Sequence, residues 1–158
     1  MSFNSKSNNI GFMSTEKKPS VLFLCSHNSA RSQMAEYFLR KYAGEHFEVY
    51  SAGLEVSTIN PLTIKVMEEK GFDLSTQSPK PLKQWLGKKH FGIMISVCSS
   101  AEENCPTAPG LGKRLYWPFE DPSSFEGTNE EKLQKFREVR DLIEQKILSW
   151  IKERGLIE

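Results

Sequence analysis

The sequence predicts an open α/β sheet with helices on both faces. Two short, continuous apolar runs that end in polar loops, Val21 to Leu24 and Phe91 to Val97, read as parallel strands covered on both sides. Segments with helical spacing lie between and after them, bounded by recognisable start and stop residues. Strand and helix alternate along the chain without internal repeats.

Taken in order, residues 1–19 are rich in Ser, Asn and Lys and hold little to bury, so they are expected to be a flexible extension. Met13 inside it is a second candidate start. Residues 20–158 are expected to form one domain. After the first strand, Met34, Phe38, Leu39 and Tyr42 share one helical face. Phe47 to Ser51 and Arg114 to Trp117 are weaker strand candidates. The stretch from Asn60 to Lys70 reads as a helix, with Asn60 as N-cap, Pro61 in the first turn and Gly71 as stop. Near the end, Leu133, Phe136, Val139, Ile143, Ile147 and Trp150 form the core-facing stripe of a helix running to about Lys152.

A chain of 158 residues buries a core without metal or disulfide staples. Lysine and arginine total 21 against 20 aspartates and glutamates, a net charge of +1. That balance gives no broad attraction to nucleic acid or an anionic membrane, so any anion binding must be local. The apolar stretches are too short to span a bilayer, and the N-terminus lacks the apolar core of a secretory signal; a cytoplasmic protein without a membrane partner is expected. No apolar excess calls for an interface, so the expected state is a monomer. Three cysteines are an odd number, and structural disulfides are rare in a reducing compartment. Each must be buried, metal-bound or reactive.

The chemistry begins at Cys25-Ser26-His27-Asn28-Ser29-Ala30-Arg31-Ser32, where the first strand runs into a short loop ahead of a helix. In open α/β sheets ligands bind at the carboxyl ends of the strands. A loop of this length can turn successive backbone N–H groups inward, and the helix adds the positive end of its dipole, which makes an oxyanion cradle. Arg31 can clamp two oxygens of a tetrahedral oxyanion. The same field favours an anionic sulfur, making Cys25 a nucleophile. Ser32 can donate to that sulfur and Asn28 can brace the loop, although both are also ordinary turn and cap residues. The plain alternative for Cys25 is a small hydrophobe at a strand end.

This segment, with Gln33-Met34-Ala35-Glu36 and Tyr50-Ser51-Ala52-Gly53, resembles the low-molecular-weight tyrosine phosphatase family and its arsenate reductase branch. The resemblance runs from about Pro19 to Lys152. It implies a four-stranded parallel sheet, an oxyanion loop from Cys25 to Arg31, and a general acid in an Asp-Pro pair, matched by Asp121-Pro122. Placed after the fourth expected strand, Asp121 can protonate a leaving oxygen at the same edge; its plain alternative is a turn-forming Asp-Pro.

Cys98 ends the third strand and Cys105 follows seven residues later in a polar loop. If the first and third strands are neighbours, Cys98 approaches Cys25, and a mobile loop then carries Cys105 to Cys98. Serial thiol exchange demands an attacking, a central and a resolving thiol, and three cysteines so placed fit it. Zinc is poorly served, since His27, His46 and His90 are scattered and no four-ligand set is evident; no metal and no cofactor are expected. Two inert cysteines are the remaining alternative.

The segment from Cys98 to Asn104-Cys105-Pro106 resembles the redox loop of thioredoxin-coupled arsenate reductases, as do Trp117-Pro118-Phe119-Glu120-Asp121-Pro122 and Phe136-Arg137-Glu138-Val139-Arg140-Asp141. Ser123 and Ser124 stand where tyrosine phosphatases typically carry tyrosines. The resemblance implies arsenate as substrate, a relay from Cys25 through Cys98 to Cys105, and thioredoxin as reductant. Two rival readings remain: a low-molecular-weight phosphatase acting on phosphotyrosine or small phosphoesters, and a non-enzymatic thiol redox sensor. Some relatives hold a monovalent cation beside the loop, and Asn28, Glu36 and Ser51 match that site. Lys80 replaces an acidic residue there, which suggests that its ammonium takes the ion's place.

Overall fold

The computed structural model describes residues 18–105 and 110–158. Most of the N-terminal extension, Met13 included, lies outside the described residues, as does Pro106.

Four strands, β1 (Ser20–Cys25), β2 (Glu48–Gly53), β3 (Phe91–Ser96) and β4 (Leu111–Tyr116), form one parallel sheet in the order β2-β1-β3-β4. Among the described residues four α-helices join and cover them: α1 (Arg31–Ala43), α2 (Pro61–Glu68), α3 (Ser99–Asn104) and α4 (Asn129–Glu153). β1 is central because Val21, Leu22, Phe23 and Leu24 are apolar on both faces and fully buried. It pairs with β2 from Ser20↔Glu48 to Cys25↔Gly53 and with β3 from Val21↔Ile93 to Leu24↔Ser96. The expected strands are therefore present, with β2 and β4 each shifted by one to three residues.

α2 stops as read from the sequence. Gly71, at φ +89, sits where Gly71 N donates to Glu68 O at 2.9 Å and Phe72 N to Met67 O at 3.0 Å, a wrapped helix end that needs a left-handed residue. α4 begins with a capping box: Glu131 N donates to Thr128 Oγ1 at 3.1 Å and Thr128 N to Glu131 Oε1 at 2.8 Å. Its buried stripe is Leu133, Phe136, Val139, Ile143, Ile147 and Ile151. Ile151 joins the stripe, and Trp150, which the sequence reading placed in it, is partly buried against the same core. Trp150 stacks on Phe47, with ring centroids 5.5 Å apart, and meets Trp117 edge to face.

Arg140 and Arg137 lock α4 to the end of α2. Arg140 Nη1 donates to Val66 O at 2.9 Å and Glu69 Oε1 at 2.8 Å, and Arg137 Nη2 donates to Glu69 Oε2 at 2.8 Å. The sequence reading did not foresee α3, which replaces the polar loop expected after Cys98, nor the short 3-10 turns at Leu82–Gln84 and Pro122–Ser124. No helix among the described residues is long and apolar enough to cross a membrane.

Candidate active site

The strand order reverses direction between β1 and β3, which opens a crevice at their carboxyl ends. Cys25 ends β1 on one side of it. Val97 N donates to Leu24 O at 2.9 Å on the other side, so Cys98 follows directly on the neighbouring strand. The strand adjacency on which the approach of Cys98 depended is present.

The loop from Cys25 to Arg31 is held by its carbonyls. Leu54 N donates to Cys25 O at 3.1 Å, Glu55 N to Ser26 O at 3.0 Å and Asn60 N to Ser29 O at 3.1 Å. With these acceptors turned toward the β2–α2 connection, the loop presents its other edge to the crevice. α1 has no side-chain cap at Ala30 and no acidic residue in its first turn, so its positive end is left to whatever binds there. Gly53 permits the close approach of β2. A Cβ there would lie 2.4 Å from Glu55 O, 2.7 Å from His27 C and 2.8 Å from Asn28 N, all backbone.

Cys25 Sγ is buried, 2.8 Å from Ser32 Oγ and 3.2 Å from Asn28 N, which donates to it. Asn28 adopts φ 55, a left-handed conformation that asparagine tolerates better than most residues. Its side chain is fully used. Nδ2 donates to Ser32 Oγ at 2.7 Å and Ser51 Oγ at 2.9 Å, while Oδ1 accepts from Gln33 Nε2 at 3.0 Å and Lys80 N at 2.9 Å. Ser51 in turn donates to Glu36 Oε1 at 2.5 Å.

Arg31 is ordered from outside the loop: Nη1 donates to Phe119 O at 3.0 Å, and Nη2 lies 3.7 Å from Asp121 Oδ2. Asp121 is aimed by Ser123, whose N and Oγ both donate to Oδ1, at 2.9 and 2.7 Å. That leaves Oδ2 facing the guanidinium. Cys25, His27, Ser29, Ala30, Arg31, Asp121 and Ser123 line one small pocket. A larger cavity lies at the amino ends of the strands between Lys18, Glu48, Tyr50 and Lys89. It contains no cysteine, and the chemistry belongs to the small pocket.

Of the seven residues expected to hold the oxyanion, the structure separates three from that pocket's lining. Asn28 and Ser32 are fully buried behind the sulfur and act as braces. Ser26 turns the other way, with Oγ 3.4 Å from Cys98 Sγ. Cys98 is buried and caps α3, accepting from Ala101 N at 3.4 Å. Cys105, half-buried at the far end of α3, donates to Met94 Sδ at 3.6 Å. Burial pushes its thiol up; Arg114 offsets part of this and Glu102 adds to it.

Lys80 does not place an ammonium in the site. Its Nζ donates to Ser78 O at 3.2 Å on the surface, and only its backbone N–H reaches Asn28. The cation facing Glu36 is Arg40, whose Nη2 donates to Glu36 Oε2 and, at 2.8 Å, to Val49 O. Sequence reasoning also missed Gln33, the Phe119 carbonyl and the bracing role of Ser123. Gln33 was visible as a polar residue directly ahead of the apolar pair Met34-Ala35; the carbonyl carries no side-chain signal at all.

A buried sulfur at the head of such a loop, with an arginine and a carboxyl closing the pocket, defines a thiol enzyme acting on a tetrahedral oxyanion. The model of the low molecular weight phosphotyrosine protein phosphatase family matches residues 20–155, and the chain belongs to that family, within its arsenate reductase branch. It is 43% identical over 130 residues to an arsenate reductase of Halalkalibacterium halodurans, covering 82% of this chain and 93% of the relative. Among solved structures it is similar to an arsenate reductase in its phosphate-binding state, with 30% identity and a TM-score of 0.68 over 85% of this chain and 98% of that one. A thioredoxin-dependent arsenate reductase of Corynebacterium glutamicum matches with 31% identity and a TM-score of 0.56, covering 85% of this chain and 64% of that one.

Proposed function

We propose that the protein reduces arsenate to arsenite through Cys25, Cys98 and Cys105 and is regenerated by thioredoxin. The observation that carries the reading is the serial placement of three cysteines along one rim. Cys25 lies in the cradle, Cys98 lies against Ser26 of the same loop, and Cys105 lies at the other end of α3. The arsenate reductase relatives, one of them thioredoxin-dependent, support it.

Arsenate docks on the loop and Arg31, and the Cys25 sulfur attacks arsenic. A sulfur–arsenic bond forms as one As–O bond breaks, with Asp121 giving the departing hydroxyl its proton so that water leaves. Cys98 then attacks the Cys25 sulfur. The sulfur–arsenic bond breaks with its electron pair on arsenic, which leaves as arsenite, and a Cys25–Cys98 disulfide remains. Cys105 attacks Cys98 and frees Cys25. The dithiol of thioredoxin reduces the Cys98–Cys105 bond, restoring both thiols.

α3 must unwind for the third step. At about 1.5 Å per residue, a helix between Cys98 and Cys105 separates them by roughly 10 Å, whereas a disulfide holds Cα atoms within about 6.8 Å. The reaction therefore moves the segment that carries the second and third thiols, which also brings the disulfide toward a partner. The protein acts as a cytoplasmic monomer, with residues 20–158 as its single catalytic domain.

A second reading, hydrolysis of aryl or small phosphoesters, is favoured by Cys25, Arg31 and Asp121 sharing one pocket, which is all that a phosphatase needs. Arsenite formation with thioredoxin, its reductase and NADPH, run beside hydrolysis of an aryl phosphate, separates the two. For Cys98→Ser the reductase reading expects loss of multiple turnover with arsenate and survival of any phosphate hydrolysis. Arsenate turnover in that variant equal to the parent's would refute it.

A further inference from the structure

The buried side of the site holds a carboxylate that the chemistry does not use. Glu36 is 4% exposed, and a buried carboxylate persists only when its charge is compensated. Through Ser51, Asn28 and Ser32 it stands in a continuous chain of hydrogen bonds to Cys25 Sγ. The polarity of that chain follows from the carboxylate. Glu36 accepts the Ser51 hydroxyl hydrogen bond, so the Ser51 oxygen in turn accepts from Asn28. Asn28 gives its second N–H to Ser32, which leaves the Ser32 hydroxyl free to donate to the sulfur.

The residues matching a monovalent-cation site do not fit one here. Both lone pairs of Asn28 Oδ1 are taken, by Gln33 and by the Lys80 backbone, and the Glu36 charge is already met by Arg40. The Lys80 ammonium lies on Ser78. Arg40 reaches in from the surface, its guanidinium 5.5 Å from the centroid of the Tyr37 ring and bonded to the backbone of β2.

We infer that Arg40 is a built-in cation: a positioning residue that holds the Glu36–Ser51–Asn28–Ser32 chain behind Cys25 and makes the site independent of potassium. Only the activity arm of the test rests on the proposed arsenate reduction. Inorganic phosphate binding and thermal stability read the cradle directly.

The parent, Arg40→Gln and Arg40→Lys are compared in potassium chloride and in choline chloride at equal ionic strength. The readouts are the phosphate dissociation constant by calorimetry, the thermal midpoint, and kcat/KM for arsenate. The parent is expected to give the same values in both salts. Arg40→Gln in choline should bind phosphate about tenfold more weakly, the scale of one charge-assisted hydrogen bond, and regain part of that in potassium. Arg40→Lys should stay close to the parent because the charge is kept. Potassium-enhanced phosphate binding or stability in the parent would overturn the inference, as would parent-like phosphate binding by Arg40→Gln in choline, or a loss in Arg40→Lys as large as in Arg40→Gln. Should Arg40→Gln not fold, the parent and Arg40→Lys comparisons decide. Normal phosphate binding with no arsenite formed by the parent counts against the proposed function and leaves this inference standing.

Discussion

Replacing Asn28 separates what its side chain does from what its backbone does. Asn28→Ala removes four hydrogen bonds, to Ser32, Ser51, Gln33 and the Lys80 backbone, the first three of them buried. At about 1 kcal/mol each, with their partners left in a buried site, they are worth about 4 kcal/mol. Alanine at φ 55 adds about 1 kcal/mol of left-handed strain. Asn28→Gly loses the same bonds without that strain. Urea unfolding of the reduced protein should therefore place the alanine variant about 5 kcal/mol below the parent, an upper bound because the four bonds share one network. The glycine variant should be about 1 kcal/mol less affected. A glycine variant as stable as the parent would refute the bracing role, and an alanine variant more stable than the glycine one would refute the backbone argument.

Three further outcomes follow from the same geometry. Ser123→Ala leaves the backbone bond to Asp121 but removes the hydroxyl one, so kcat for arsenate should fall roughly three- to tenfold, the scale of one hydrogen bond, with little change in KM. Burial opposes ionisation of Cys105, so transfer of the disulfide from Cys25–Cys98 to Cys98–Cys105, followed by rapid quenching, should accelerate as pH rises from neutral; Arg114→Ala should slow it at neutral pH. Chiefly through its hydrogen bond with Arg137, the Glu69 carboxyl is held at about 2 against an ordinary 4.5. The stability it contributes is present above the ordinary value and lost as pH falls from there toward 2, so the thermal midpoint should drop across that window, and less steeply in Glu69→Gln.

The Cys25 loop was legible because its signals are local: a buried strand, small polar residues, an arginine and a helix, all contiguous. Gly71 was legible for the same reason, since only a left-handed turn explains a glycine there. α3 was not, because Ser99 to Asn104 is too short to show a period and its cap is a cysteine, an unusual residue for that position. Lys80 misled because a change of side chain drew attention to the ammonium, while the contact the fold uses is its backbone N–H. Glu36 was singled out in the sequence only as matching a cation site, and its i, i+4 partner Arg40 drew no notice; the burial of Glu36 against Ser51 gives that pair its consequence. Cys98 could be placed near Cys25 only on condition of a strand order that no local pattern states.

The most direct test of the relay uses no reductant. Reduced protein is mixed with excess arsenate, quenched with an alkylating agent, and analysed for arsenite and for disulfide connectivity by peptide mass mapping. One arsenite per chain, a Cys98–Cys105 disulfide and an alkylated Cys25 are expected, with Cys25–Cys98 accumulating instead in Cys105→Ser. Three alkylated cysteines and no arsenite, or arsenite formed at the parent's yield by Cys98→Ser, would contradict it.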